Sequence, residues 1–227
     1  VLAKAAYDQM IIMSFTSNFS GMTNLPSIQL AEKLAGFAYD YQGRGQGSMG
    51  LDVTDLDGDA LPDMYITSFA GEFATVYRNL GAGMFEDATL RFGGAAATLP
   101  HVKWGVVSED FDNNGTRDLL IATGDIDDNR DHRGGATAAT GFRIPNLLLS
   151  SDGKGKLRAL DRWGSASLVR QSSRGLVAAD LDLDGRVDAV ATNSRDMPSV
   201  MKNESVLQDS SKFGSSVHQA IATLWEQ

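Results

Sequence analysis

Short runs of β-forming residues alternate with acidic or glycine-rich breaks through the middle of this 227-residue chain. Gly50-Leu-Asp-Val-Thr54, Trp104-Gly-Val-Val-Ser108 and Gly175-Leu-Val-Ala-Ala179 each precede an acidic turn, and Met64–Phe69, Leu119–Thr123 and Ala189–Thr192 each follow one. All are too short for helices and are bounded by turn residues, so they read as strands. A third run follows each pair: Thr75–Leu80, Asn146–Ser150 and Ser199–Asn203. The first two of these lead into Gly-x-Gly hairpin signals, Gly81-Ala-Gly83 and Gly153-Lys-Gly155, and then a further short strand. Four-stranded units repeated along a chain are the pattern of a β-propeller, whose blades bury their faces on one another. The chain is therefore predicted to be all-β, a β-propeller-like array of at least three four-stranded blades within a larger propeller.

Residues 49–98, 99–165 and 166–203 are expected to form the three blades, with the last showing only three strands. Residues 1–48 are read as an N-terminal segment holding a degenerate blade, with strands at Ile11–Phe15 and Phe37–Tyr41 and a short capped helix between Pro26 and Gly36. Residues 204–227 form a tail in which Ser215–Trp225 reads as a second helix. Three blades are fewer than the four or more that close a ring, and the chain begins at Val1. We therefore expect it to be a stretch of a longer protein.

The acidic turns carry the chemistry. They read Asp55-Leu-Asp57-Gly-Asp59-Ala-Leu-Pro-Asp63, Asp110-Phe-Asp112-Asn-Asn114-Gly-Thr-Arg-Asp118 and Asp180-Leu-Asp182-Leu-Asp184-Gly-Arg-Val-Asp188. Each places an oxygen-bearing side chain at positions 1, 3, 5 and 9. Calcium takes six to eight oxygens at about 2.3–2.6 Å, and alternate residues of a tight turn can converge on such an ion. The carbonyls of Leu61, Thr116 and Arg186, at position 7, would add a further ligand. About three Ca²⁺ sites are expected, while Mg²⁺, which prefers a small octahedral shell with retained waters, fits less well. An EF-hand is excluded, because its position-12 carboxylate is replaced here by Ile66, Ile121 and Ala191 and the flanks are strands. Asn114 in place of a carboxylate predicts weaker binding in the second loop. Ala60 stands where the other loops have glycine, at a turn position that favours a left-handed backbone.

Charge follows from the loops. Eleven of the 29 acidic residues lie at these positions, leaving 18 against 20 Lys and Arg. Three divalent ions would bring the net charge of −9 to −3. No basic stripe is left for nucleic acid, and no run approaches the roughly twenty apolar residues of a membrane span. The absence of Cys excludes a disulfide framework and thiolate metal sites.

The chain resembles the FG-GAP/VCBS-type calcium-loop propeller repeats, which also build the head of integrin α subunits. The nearest likeness is to secreted proteins related to cartilage acidic protein, which often carry an ASPIC/UnbV domain. The matching text is Ser48-Met-Gly-Leu-Asp-Val-Thr-Asp55, Tyr77-Arg-Asn79, Trp104-Gly105, Gly124-Asp-Ile-Asp-Asp-Asn129, Pro145-Asn-Leu147 and Ser173-Arg-Gly-Leu176, within about residues 30–203. The resemblance implies Ca²⁺ in each loop, an extracellular, periplasmic or cell-surface location, and adhesion or recognition without a catalytic site. Phe92-Gly93-Gly94-Ala95 echoes the family's name but lies outside the place of that motif, and the tail after Glu204 departs from the family's continuation.

Other chemistry is sparse. His101, His132 and His218 show no metal-ligand spacing, no Gly-x-Ser-x-Gly elbow occurs, and Gly43-Arg-Gly-Gln-Gly47 lacks the context of a phosphate loop. Trp104 reads as a blade-packing residue. The segment 124–144 interrupts the second blade between its second and third strands and is rich in Asp and Arg. It should project from the face opposite the cation loops, as a surface for a protein or glycan ligand or as a solvated loop. The favoured reading is a non-catalytic, calcium-stabilised recognition segment. The alternative is the propeller of a polysaccharide-degrading enzyme, which would need charged side chains converging in a central cleft.

Overall fold

The computed structural model describes residues 39–40, 42–128 and 141–205. The chain divides into two compact units, Val1–Gly45 and Gln46–Gln227. The expected strand at Ile11–Phe15 and the helices after Pro26 and Ser215 lie outside the described residues, as do His132 and His218. In the first unit, Tyr39 makes a single antiparallel bridge to Gly45. The Asp40 carboxylate closes that turn by accepting the N–H groups of Gln42 and Arg44, each at 2.9 Å.

The second unit is built of antiparallel sheets in chain order. The first holds β1 (Gly50–Thr54), β2 (Asp63–Thr67), β3 (Thr75–Gly81) and β4 (Met84–Asp87), each strand beside its predecessor. The second repeats this with β5 (Lys103–Glu109), β6 (Asp118–Thr123), β7 (Leu147–Ser151) and β8 (Leu157–Ala159). The third has β9 (Ser173–Ala179), β10 (Asp188–Asn193) and β11 (Ser199–Met201). The architecture is all-β and propeller-like, as the repeat predicts.

Why the sheets stack is clearest at β6. Successive strand residues point to opposite faces, and β6 is buried along its whole length. Leu119 and Ile121 join Tyr65, Val76, Phe92 and Leu149 in the core between the first two sheets. Leu120 joins Leu148, Trp163, Ala189 and Met201 in the core between the second and third. A strand covered on both faces needs the continuous apolar run Leu-Leu-Ile, and each such side chain contributes about 1.5–3 kcal/mol on burial.

The first strands of the sheets lie side by side, β1 against β5 and β5 against β9. Gly50 and Gly105 permit the approach. A Cβ on Gly50 would stand 2.1 Å from the Trp104 carbonyl oxygen, and one on Gly105 would stand 2.8 Å from that of Arg174. Asp52 Oδ2 accepts the Ser108 N–H across the same seam at 2.5 Å. Lys103, wholly buried at the start of β5, donates from Nζ to the carbonyls of Phe69, Glu72, Thr98 and His101 at 2.8–3.0 Å. His101 is thus structural through its backbone.

Single helical turns, Thr89–Phe92 and Ala95–Thr98, connect the first sheet to the second, and a 3-10 turn, Ser165–Leu168, precedes the third. Phe92 ends the first turn and is fully buried between the sheets, so the Phe-Gly-Gly-Ala stretch serves packing.

Candidate metal centres

The β1–β2, β5–β6 and β9–β10 connections are the three acidic turns, and they fold alike. The position-1 carboxylate ties the turn together. Asp55 accepts the N–H groups of Gly58, Asp59 and Ala60 at 2.8–3.2 Å. Asp110 accepts those of Asn114 and Gly115, and Asp180 those of Asp184 and Gly185, at 2.8–3.0 Å. The position-5 side chain accepts the position-7 N–H: Leu61 to Asp59, Thr116 to Asn114, Arg186 to Asp184.

Position 9 begins the second strand and is buried: Asp63, Asp118 and Asp188 are 0%, 1% and 2% exposed. Each is held by an N–H of the third strand of its own sheet or, for Asn203, of the residues just after it: Asn79, Ser151 or Asn203, at 2.8–2.9 Å. Asn79 and Asn203 also donate their side-chain amides to the position-8 carbonyls of Pro62 and Val187. Tyr77-Arg-Asn79 is part of the family-like text, and Arg78-Asn79 and Lys202-Asn203 repeat a basic-Asn pair whose anchoring role only the fold reveals.

These anchors converge the carboxylates. Ligand oxygens of Asp55, Asp57 and Asp63 lie within 4.8 Å of one another, as do those of Asp110, Asp112 and Asp118, and those of Asp180, Asp182 and Asp188. Asp59 and Asp184 are not in those groups. An all-oxygen, carboxylate-rich donor set suits a hard divalent cation such as Ca²⁺ and not a thiolate or imidazole metal. Asp57 Oδ1 is buried without a hydrogen-bond partner, which is costly unless a cation takes it up.

Proton affinities report the same crowding. Burial pushes Asp118 up to about 7, with the Asp112 and Asp110 carboxylates adding to it and the Ser151 N–H opposing. Burial likewise raises Asp63 and Asp112. Asp182 is instead lowered, chiefly by its hydrogen bond from Lys202. A divalent ion would relieve the repulsion and keep the raised groups ionised.

Ala60 adopts φ 67°, so the turn does take the left-handed backbone at position 6, as Gly115 and Gly185 do at 86° and 85°. Position 4 is left-handed as well, in Gly58, Asn113 and Leu183 at 79°, 55° and 60°.

At the opposite end of the second sheet, the described flanks of the inserted segment meet the β10–β11 hairpin. Asp128 pairs with Arg195, and Arg143 pairs with Asp196 at 3.2 Å. Trp104 donates Nε1 to the Gly124 carbonyl at 2.8 Å, and the Arg174 guanidinium lies over its ring at 4.2 Å. An open cleft of about 400 Å³ runs along β1, β5 and β9, with Asp52, Glu109 and Arg117 in its wall. Asp52 is engaged with Ser108, and Glu109 with Arg117 at 2.6 Å.

Comparison with known proteins agrees with this geometry. Residues 55–121, from the first acidic turn through most of β6, match the family described as FG-GAP-like repeat. The matched stretch runs from the β1–β2 turn of the first sheet into β6 of the second. No curated protein matches the chain. Among solved structures, a lectin of Agrocybe aegerita, described by its specific recognition of non-reducing terminal N-acetylglucosamine, is similar at 16% identity and a TM-score of 0.27. The match covers 68% of this chain and 48% of the lectin chain, so the chain spans about half of that protein. Among the described residues, no helix is long and apolar enough to cross a membrane.

Proposed function

We propose that this chain is a calcium-stabilised, non-catalytic propeller segment of a secreted, periplasmic or cell-surface protein, mediating adhesion or protein or glycan recognition. The observation that carries the calcium reading is the threefold repetition of one arrangement. In each turn the first, third and ninth carboxylates come within 4.8 Å of one another. The ninth is buried on the sheet and the first is wrapped by turn amides, so binding would lock each turn to its blade. The likeness of Ser48–Asp55, Tyr77–Asn79 and Ser173–Leu176 to cartilage acidic protein-like sequences supports the extracellular assignment.

Asp57, Asp112 and Asp182 complete the three-carboxylate sets. The position-5 oxygens of Asp59, Asn114 and Asp184 and the carbonyls of Leu61, Thr116 and Arg186 would complete the shells. Recognition would fall to the opposite end, where the described flanks of segment 124–144 meet the β10–β11 hairpin. The polysaccharide-degrading alternative would use the cleft along the first strands, but its charged groups Asp52, Glu109 and Arg117 already have partners within the fold.

Melting curves in excess calcium, magnesium and chelator test the proposal. An ion that binds only the folded state adds about 2.7 kcal/mol per site at a hundred times its Kd. Calcium should raise the midpoint well above that in chelator, with magnesium falling between. Equal midpoints in calcium and chelator would defeat it. Deleting residues 127–142 should then abolish capture of any glycan or protein ligand found in a binding screen, while calcium binding persists.

A further inference from the structure

The three turns differ in the cations that the chain itself supplies. In the first, Arg78 of β3 donates Nε to Asp57 Oδ2 at 2.5 Å and Nη2 to Asp59 Oδ2 at 2.8 Å. In the third, Lys202, next after β11, pairs with Asp182 and lies 3.8 Å from Asp184, which is also paired with Arg186. Arg78 and Lys202 occupy equivalent places. Each immediately precedes the residue whose N–H holds the ninth carboxylate, Asn79 or Asn203. In the second blade that N–H belongs to Ser151, so the equivalent residue is the neutral Ser150. Among the described residues no basic side chain forms an ion pair with Asp110, Asp112 or Asp118.

The target of the basic residue matters more than its charge. Asp57 and Asp182 are the third-position carboxylates, each a member of its three-oxygen group. A charge-assisted hydrogen bond holds that oxygen, and a divalent ion must share or displace it. Formal charge points the same way. Four carboxylates with Arg78 and Arg91, the latter 3.8 Å from Asp57, leave −2 in the first, four with Lys202 and Arg186 leave −2 in the third, and three leave −3 in the second. The third carboxylate adds to the difference, since Asp112 accepts only the neutral Asn114 N–H at 3.2 Å and Nδ2–H at 3.0 Å, whereas Asp57 and Asp182 are held by charged donors.

Resting on the calcium reading, we infer that Arg78 and Lys202 are built-in counter-cations that weaken calcium binding at the first and third turns, leaving the second, despite Asn114, the tightest site. At low calcium the outer turns are pinned by their own blades, and calcium dependence is concentrated in the middle blade. The substitution of Asn114 alone predicts the opposite order.

The test is a site-resolved calcium titration of the full chain by ¹H–¹⁵N spectroscopy, following the amides of Gly58, Gly115 and Gly185, one in each turn. Gly115 should saturate at about tenfold lower free calcium than the other two, as expected for removing one screened ion pair from a ligand oxygen. Arg78→Gln should tighten the site read by Gly58, Lys202→Gln the one read by Gly185, and Ser150→Lys should weaken the one read by Gly115. Simultaneous saturation, Gly115 saturating last, or variants that weaken their own turns would overturn the inference. The wild-type order decides it even if a variant does not fold. No response at any of the three glycines would instead defeat the calcium reading itself.

Discussion

Replacing Ala60 by glycine should stabilise the protein. Ala60 sits at φ 67° on an exposed turn, where the equivalent Gly115 and Gly185 sit at 86° and 85°. A residue with a Cβ pays roughly 1–2 kcal/mol for the left-handed conformation. Glycine removes that strain but gives the unfolded chain about 0.5–1 kcal/mol more conformational freedom. The methyl group is exposed, so little packing is lost, and the Ala60 N–H to Asp55 Oδ2 bond of 2.8 Å is kept. The net gain is about 0.5–1 kcal/mol, or roughly 1–4 °C in Tm for a domain of this size. The reverse substitution, Gly115→Ala, should cost about 1 kcal/mol. Thermal and urea unfolding in calcium and in chelator measure both. An Ala60→Gly protein no more stable than wild type, together with a neutral Gly115→Ala, would refute the backbone argument.

Further expectations concern pH and packing. Asp118 is held protonated up to about 7 against an ordinary 3.8. Between those values the folded chain keeps a proton that the unfolded chain has lost, so this group's stabilisation fades as pH rises through that window. In chelator, the wild-type Tm relative to Asp118→Asn should therefore fall from pH 4 to 7, while calcium affinity, read by titration, rises. Gly50→Ala forces a Cβ to 2.1 Å from the Trp104 carbonyl oxygen and should cost about 3 kcal/mol in urea unfolding. Lys103→Met strips four carbonyls of their shared, buried ammonium donor and should cost about 3–5 kcal/mol by the same assay.

Much of this fold was legible in the sequence because its information is local. Each strand is short, β-forming and punctuated, and the observed β1, β2, β6 and β9 fall within about two residues of the expected runs. The turns were legible because alternate Asp residues repeat at fixed spacing. The glycine five residues before each first Asp, Gly50, Gly105 and Gly175, also repeats and could have signalled the close approach of the first strands. Other features depend on contacts distant in sequence. Nothing in Lys103 announces a carbonyl cage, and a four-residue turn such as Thr89–Phe92 is too brief to show a helical period. Leu183 gives no hint of its φ of 60°, since leucine disfavours that region. The basic residues facing the first and third turns come from the third strand or its immediate end, so only the folded blade brings them to the carboxylates.

The most direct measurement is calorimetric calcium titration of the chain, alongside a variant with Asp63, Asp118 and Asp188 all changed to Asn. Wild type should bind about three ions, one for each group of converging carboxylates, and the triple variant should bind essentially none while retaining β-sheet circular dichroism. Absence of binding to the folded wild type, or an unchanged stoichiometry in the triple variant, would contradict the assignment.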